Sequence, residues 1–110
     1  MSANSHIVKK GILSQFKVDE EELKRLCREM GVRSLAVFGS VTQGEFKVGI
    51  SDIDFLVEFE VVSVDRFFDF LDGLKKLFHY DNVDLVTSAS LKNHVIRQSI
   101  LSSQENIYAA

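Results

Sequence analysis

The 110-residue sequence has no proline, no tryptophan and only one cysteine. It also lacks any uninterrupted apolar run of about 18 residues, so a membrane-spanning helix is not expected. A lone thiol excludes an internal disulfide and fits a reducing compartment. Cys27 lies among Leu23, Leu26 and Met30 at helical spacing and reads as a core thiol rather than a nucleophile. Basic residues number thirteen against sixteen acidic ones, for a net charge of −3. No Lys/Arg block exceeds two residues, which disfavours nonspecific binding to long nucleic acid, since such binding needs clustered cations to neutralise phosphates. The three histidines, His6, His79 and His94, are scattered without zinc-ligand spacing and read as surface or helix-end residues. There is no repeat or low-complexity tract, so nothing marks a linker. A single domain over residues 1–110 is expected, with residues 1–5 frayed. The opening Met-Ser-Ala-Asn-Ser-His has no signal-peptide profile, and a cytoplasmic location follows as an expectation.

Hydrophobic residues make up 45% of the chain and include nine phenylalanines, enough for a proper core. Asp19 followed by Glu22 forms a capping-box pattern, and Leu23, Leu26, Cys27 and Met30 recur at helical spacing until Gly31. A strand is expected over Ser34 to Phe38. A second apolar run begins at Asp52 and is expected to continue to about Val62. Ser63 then reads as an N-cap, and Val64, Phe67, Phe68, Leu71, Leu74 and Phe78 form a helical stripe assigned to core packing. Asn82 to Val86 reads as a third strand. A helix opened by Ser88 or Ser90 is expected next, with Leu91, Val95, Ile100 and Leu101 partly periodic. The pattern of Ile7 to Phe16 leaves its state open. Strands alternating with helices predict an α+β fold, a small mixed β-sheet flanked by α-helices, with the aspartate-bearing strand ends at an open rim.

The most informative stretch is 35–57. Its first apolar run ends in Gly39-Ser40, and its second is headed by Ser51-Asp52-Ile53-Asp54. Side chains alternate along a strand, so Asp52 and Asp54 share a face while Ile53, Phe55, Val57 and Phe59 fill the other. Two carboxylates about 5 Å apart repel by roughly 3 kcal/mol at an effective dielectric near 20, which calls for a compensating charge. A divalent cation suits that demand. Mg²⁺ takes hard oxygen ligands and commonly sits on one or two carboxylates plus nucleotide phosphates. At Gly39 the missing side chain lets backbone N–H groups approach a polyphosphate, and Ser40 adds a hydroxyl donor. A helix following Ser40 would add its positive N-terminus. Gly-Ser alone is ordinary turn punctuation, and Asp-x-Asp alone is common at strand edges. Their combination at this spacing points to nucleotide chemistry.

The segment from Gly39-Ser40 through Ser51-Asp52-Ile53-Asp54 resembles the signature of the DNA polymerase beta-like nucleotidyltransferase superfamily, and in particular its short branch, the minimal nucleotidyltransferase or MNT domains. The resemblance extends over nearly the whole chain. It implies that Gly39 and Ser40 hold nucleotide phosphates, that Asp52 and Asp54 bind two Mg²⁺ ions, and that Asp84 on the later strand is the third metal-binding carboxylate. It also implies transfer of a nucleoside monophosphate, AMP from ATP, to a hydroxyl of a partner protein. For a chain of this size, the partner implied is the HEPN-domain toxin of a toxin–antitoxin pair. Many relatives carry an arginine in the loop after Gly-Ser, whereas here Val41, Thr42 and Gln43 bring no positive charge, and Lys47 is the nearest substitute. That departure keeps open a non-catalytic, protein-binding antitoxin of the same fold. A small-molecule nucleotidyltransferase of antibiotic-modifying type is the other alternative.

Overall fold

The structure, a computed structural model, describes residues 11–42, 44–88 and 104–110. After a short helical segment at 11–15, the elements run α1 (Glu20–Glu29), β1 (Val32–Phe38), a single 3-10 turn (Gly39–Val41), β2 (Ile53–Phe59), α2 (Val64–Phe78), β3 (Val83–Thr87) and β4 (Glu105–Ala109). The four strands form one sheet in the order β3-β2-β1-β4. β1 pairs antiparallel with both β2 and β4, whereas β2 and β3 run parallel. This mixed α+β sheet is the architecture the sequence predicts.

Local chemistry sets the element ends. The Asp19 side chain accepts the Glu21 N–H at 3.1 Å, and three glutamates fill the first turn of α1, where the helix dipole favours negative charge. The cap therefore works through Glu21 rather than through a bond to the Glu22 N–H. Ser63 caps α2 by accepting the Arg66 N–H at 3.1 Å. Lys75 and Lys76 occupy the last turn of α2, and exposed His79 ends the helix in the left-handed region.

Ile53, Phe55, Val57 and Phe59 of β2 are all buried, as their alternation requires. Phe55 meets Phe78 edge-on at 5.2 Å between ring centres, and Phe59 meets Phe70 at 5.7 Å, so two aromatic contacts fasten α2 to the sheet. Cys27 is fully buried in the same core. Burial pushes its thiol up to about 12, an inert state that agrees with a structural role.

Several expectations are corrected. β1 begins at Val32 rather than Ser34, and β2 ends at Phe59, three residues before Val62. The α2 stripe is centred elsewhere: Phe70, Leu74 and Phe78 are buried, Phe67 and Leu71 are partly so, and Phe68 is 58% exposed and Val64 72% exposed. At about 100° per residue, Phe70, Leu74 and Phe78 fall on one arc facing the sheet, with Val64 and Phe68 on its flank. β4 was not expected from its own residues. The helix expected after Ser88, along with His6, His94 and Gln43, lies outside the described residues. Among the described residues no helix is long and apolar enough to cross a membrane.

Candidate functional site

β1 delivers the chain to Gly39 with Phe38 fully extended, and the backbone then turns sharply. Gly39 has φ +77°, a region costly for residues with a Cβ. Space imposes the same choice, because a Cβ built at Gly39 would collide with Oδ2 of Asp54. The Gly39 carbonyl accepts both the Thr42 N–H, at 3.1 Å, and the Thr42 hydroxyl, at 2.8 Å. The Gly-Ser turn is thus a closed loop laid directly against an aspartate. It extends for only one 3-10 turn, so the helix N-terminus envisaged after Ser40 is not supplied.

Asp54 is half-buried on the face of β2 opposite Phe55, and in the sheet register it stands beside Phe38 on one side and Asp84 on the other. Strands in a sheet lie about 4.8 Å apart and directly paired residues share a face, so Asp54 and Asp84 project together. Asp52 sits one residue before β2 and is exposed, as is Asp84. Burial pushes the Asp54 carboxyl up to about 6, with the negative charges of Asp84 and then Asp52 adding to the shift. Asp52 and Asp84 are therefore both within electrostatic reach of Asp54, which lies against Gly39.

The donor set fits a hard divalent cation. Among the described residues no Lys, Arg or His forms an ion pair with Asp52, Asp54 or Asp84, and the influences on Asp54 all oppose its ionisation. At the same time, no three acidic, imidazole or thiol side chains among the described residues close into a ready-made metal cage. A cation at Asp54 would be held by one or two carboxylates and completed by other oxygen ligands such as nucleotide phosphates.

The loop preceding Asp52 is anchored from a distance. The Tyr80 hydroxyl donates to the Ser51 carbonyl at 2.6 Å and accepts the Gly49 N–H at 2.9 Å. On the other side of Asp52, the Ile53 N–H donates to the Asn82 carbonyl at 2.8 Å. No spacing in the sequence signals these contacts.

A family model described as nucleotidyltransferase domain matches residues 20–105, a span that takes in the Gly-Ser turn and all three aspartates. The chain belongs to the nucleotidyltransferase family. Protein adenylyltransferase MntA of Thermococcus cleftensis is 40% identical over 75 residues, which is 67% of this chain and 74% of that protein. Two solved structures share the fold. A toxin-antitoxin with AMP-PNP is 22% identical with a TM-score of 0.67, the match covering 84% of this chain and 75% of that one. An MNT antitoxin in complex with the tri-AMPylated HEPN toxin of Shewanella oneidensis is 19% identical with a TM-score of 0.58, covering 83% and 70%. Membership in the nucleotidyltransferase family makes this chain an enzyme of the nucleotidyl-transfer class and confirms the resemblance drawn from the Gly39 to Asp54 segment.

Proposed function

We propose that this nucleotidyltransferase moves AMP from ATP to a hydroxyl on a partner protein, that the partner is a HEPN-domain toxin, and that the chain is its cytoplasmic antitoxin. The observation that carries the reading is the pairing of Asp54 with Asp84 across parallel strands, with Gly39 packed against the Asp54 carboxylate. The adenylyl donor, the protein acceptor and the toxin are supported by what the similar proteins are named for and were solved with.

Two Mg²⁺ ions bound with the nucleotide would supply neutralisation of phosphate charge. Asp52 and Asp54 would hold both cations. Gly39 offers backbone N–H groups and Ser40 its hydroxyl to the β- and γ-phosphates. Asp84 would also hold a cation, and it takes the acceptor proton as the acceptor oxygen attacks the α-phosphorus. The bond from the α-phosphorus to its bridging oxygen breaks, and pyrophosphate leaves. Positioning and charge neutralisation account for most of the rate in such a transfer.

A second reading, an antitoxin that blocks its partner sterically without transfer, draws on the loop after Ser40. Val41 packs against the core, the Thr42 hydroxyl donates to the Gly39 carbonyl, and neither side chain carries a positive charge to offer a phosphate. Intact-mass spectrometry of the chain coexpressed with its neighbouring gene product, incubated with Mg²⁺ and mixed nucleoside triphosphates, separates the readings. The expected result is an AMP-sized mass gain on the partner, absent in an Asp52→Asn/Asp54→Asn control. A stable complex without mass gain selects the steric reading, and a label found on a small molecule overturns the protein acceptor.

A further inference from the structure

Asp52 differs from Asp54 in how it is held. Asp54 lies inside a strand, whereas Asp52 is exposed, precedes β2, and has no side-chain hydrogen bond among the described residues. Its position is set by its backbone neighbours. The segment 47–51 folds back on itself: the Ser51 N–H donates to the Lys47 carbonyl at 2.8 Å, the Ile50 N–H to the same carbonyl at 3.1 Å, and the Lys47 N–H to the Ser51 hydroxyl at 2.9 Å. These bonds shape the turn but do not attach it to the rest of the molecule. The Tyr80 hydroxyl does so, bridging the Ser51 carbonyl and the Gly49 N–H across 29 and 31 residues of chain.

Tyr80 is itself firmly placed. Its N–H donates to the Lys75 carbonyl at 3.1 Å, which ties it to the end of α2. Its ring packs on Phe16 at 5.4 Å and on Phe46 at 5.6 Å, and Phe16 in turn contacts Phe78 of the core at 5.8 Å. A rigid chain of contacts therefore runs from the core through the Tyr80 hydroxyl to the residue immediately before Asp52. The Ile53 to Asn82 bond fixes the residue immediately after.

We infer that Tyr80 is a positioning residue for nucleotidyl transfer, whose hydroxyl clasps the 47–51 turn so that Asp52 is presented to a divalent cation beside Asp54. The inference rests on the reading of Asp52 as a metal ligand. The aromatic ring and the hydroxyl have separable roles: the ring contributes packing, and the hydroxyl fixes the backbone that leads into Asp52. Carboxylates that ligate a cation act well only when their own geometry is held by outer contacts, and loss of such contacts commonly weakens metal binding tenfold or more.

Tyr80→Phe tests this, because it removes the hydroxyl and keeps the ring. Mn²⁺ titration by electron paramagnetic resonance, in the presence of a non-hydrolysable ATP analogue, reads the site without requiring transfer. The expected result is Mn²⁺ affinity weakened about tenfold or more with a melting temperature close to wild type. The Mg²⁺ requirement for transfer should rise by the same factor, and excess Mg²⁺ should restore the rate in Tyr80→Phe but not in Asp52→Asn. Phe46→Leu, which loosens the ring cluster and spares the hydroxyl, should lower the melting temperature and leave the metal dependence in place. If Tyr80→Phe binds Mn²⁺ as wild type does, or if Phe46→Leu shifts the metal dependence equally, the clasp is overturned while the metal site stands. Should wild-type protein bind no more Mn²⁺ than the Asp52→Asn/Asp54→Asn control, the reading of the site fails, and the clasp with it.

Discussion

The two faces of β2 put one backbone to opposite uses. On one face Ile53, Phe55, Val57 and Phe59 are at most 6% exposed and share one core with the buried residues of α1, α2 and the neighbouring strands. On the other, Asp54, Leu56 and Glu58 stay half-buried, and Asp54 stands beside Asp84 with no cation paired to either among the described residues. The apolar face contributes stability, and the acidic face costs some of it. A strand can do both because its side chains alternate, so a repelling carboxylate cluster is held rigidly by a core it never enters. Stability and transfer should accordingly respond in opposite ways to substitutions on the two faces.

The sharpest division is expected from Asp54→Asn. Removing this carboxylate should lower transfer about a thousandfold or more, equivalent to about 4 kcal/mol of transition-state stabilisation. The metal-free protein should become more stable at pH 7, by about 1 kcal/mol once solvent screening of a half-exposed group is allowed for. Single-turnover transfer and urea unfolding of the same preparation measure the two effects. Near-normal transfer would remove Asp54 from the chemistry, and a large loss of stability would mean that its face is structural. Phe55→Ala, one residue along, should do the reverse. It empties a fully buried ring position against Phe78 and should cost about 3–5 kcal/mol of folding free energy. Protein that remains folded in the cold should retain its metal dependence.

How much of this was legible follows from whether the signal is local. The alternation of β2, the Asp19 start of α1, the Ser63 cap and the burial of Cys27 are all written within a few residues, and each was read correctly. So was the strand around Asp84. The alignment of Asp54 with Asp84 has no local signal and was implied by the resemblance alone, because 30 positions separate them and only the parallel register of β2 and β3 brings them level. β4 was missed for a similar reason: Glu-Asn-Ile-Tyr-Ala is a weak alternating pattern whose strand character comes from pairing with β1. In α2 the expected stripe included Phe68 and left out Phe70. A helix with aromatics at 67, 68 and 70 offers two overlapping faces, and only the position of the sheet chooses between them. The Tyr80 tether has no sequence signature at all. The assignment of Asp52, Asp54, Asp84, Gly39 and Ser40 came from the motif and its resemblance, while the geometry adds the reason Gly39 must be glycine.

That reason provides the next test. Gly39→Ala places a methyl group against Oδ2 of Asp54 and forces a Cβ into a left-handed backbone conformation. The backbone cost alone is about 1–2 kcal/mol. Transfer should fall about 10- to 100-fold, since displacement of a reacting group by an ångström has effects of that order. The melting temperature should drop by several degrees. Loss of stability without loss of transfer would separate the Gly-Ser turn from the site.

The smallest expected effect is in the pH dependence of the metal-free protein. Burial, Asp84 and Asp52 together hold the folded-state Asp54 near 6, above the ordinary carboxylate value it regains on unfolding. Between those two values the folded state binds more protons than the unfolded state, so the contribution of Asp54 to stability falls as pH rises through that window. It is fully present below the unfolded value and lost above about 6. Other carboxylates titrate in the same range, so the quantity to measure is the difference between wild type and Asp54→Asn in unfolding free energy from pH 4 to pH 8, with chelator present. The variant should hold a constant advantage above about pH 7, which shrinks as the wild-type carboxyl takes up its proton. A difference that is flat across the range would mean that Asp54 ionises as freely as a surface carboxylate, and that the acidic face of β2 costs the fold nothing.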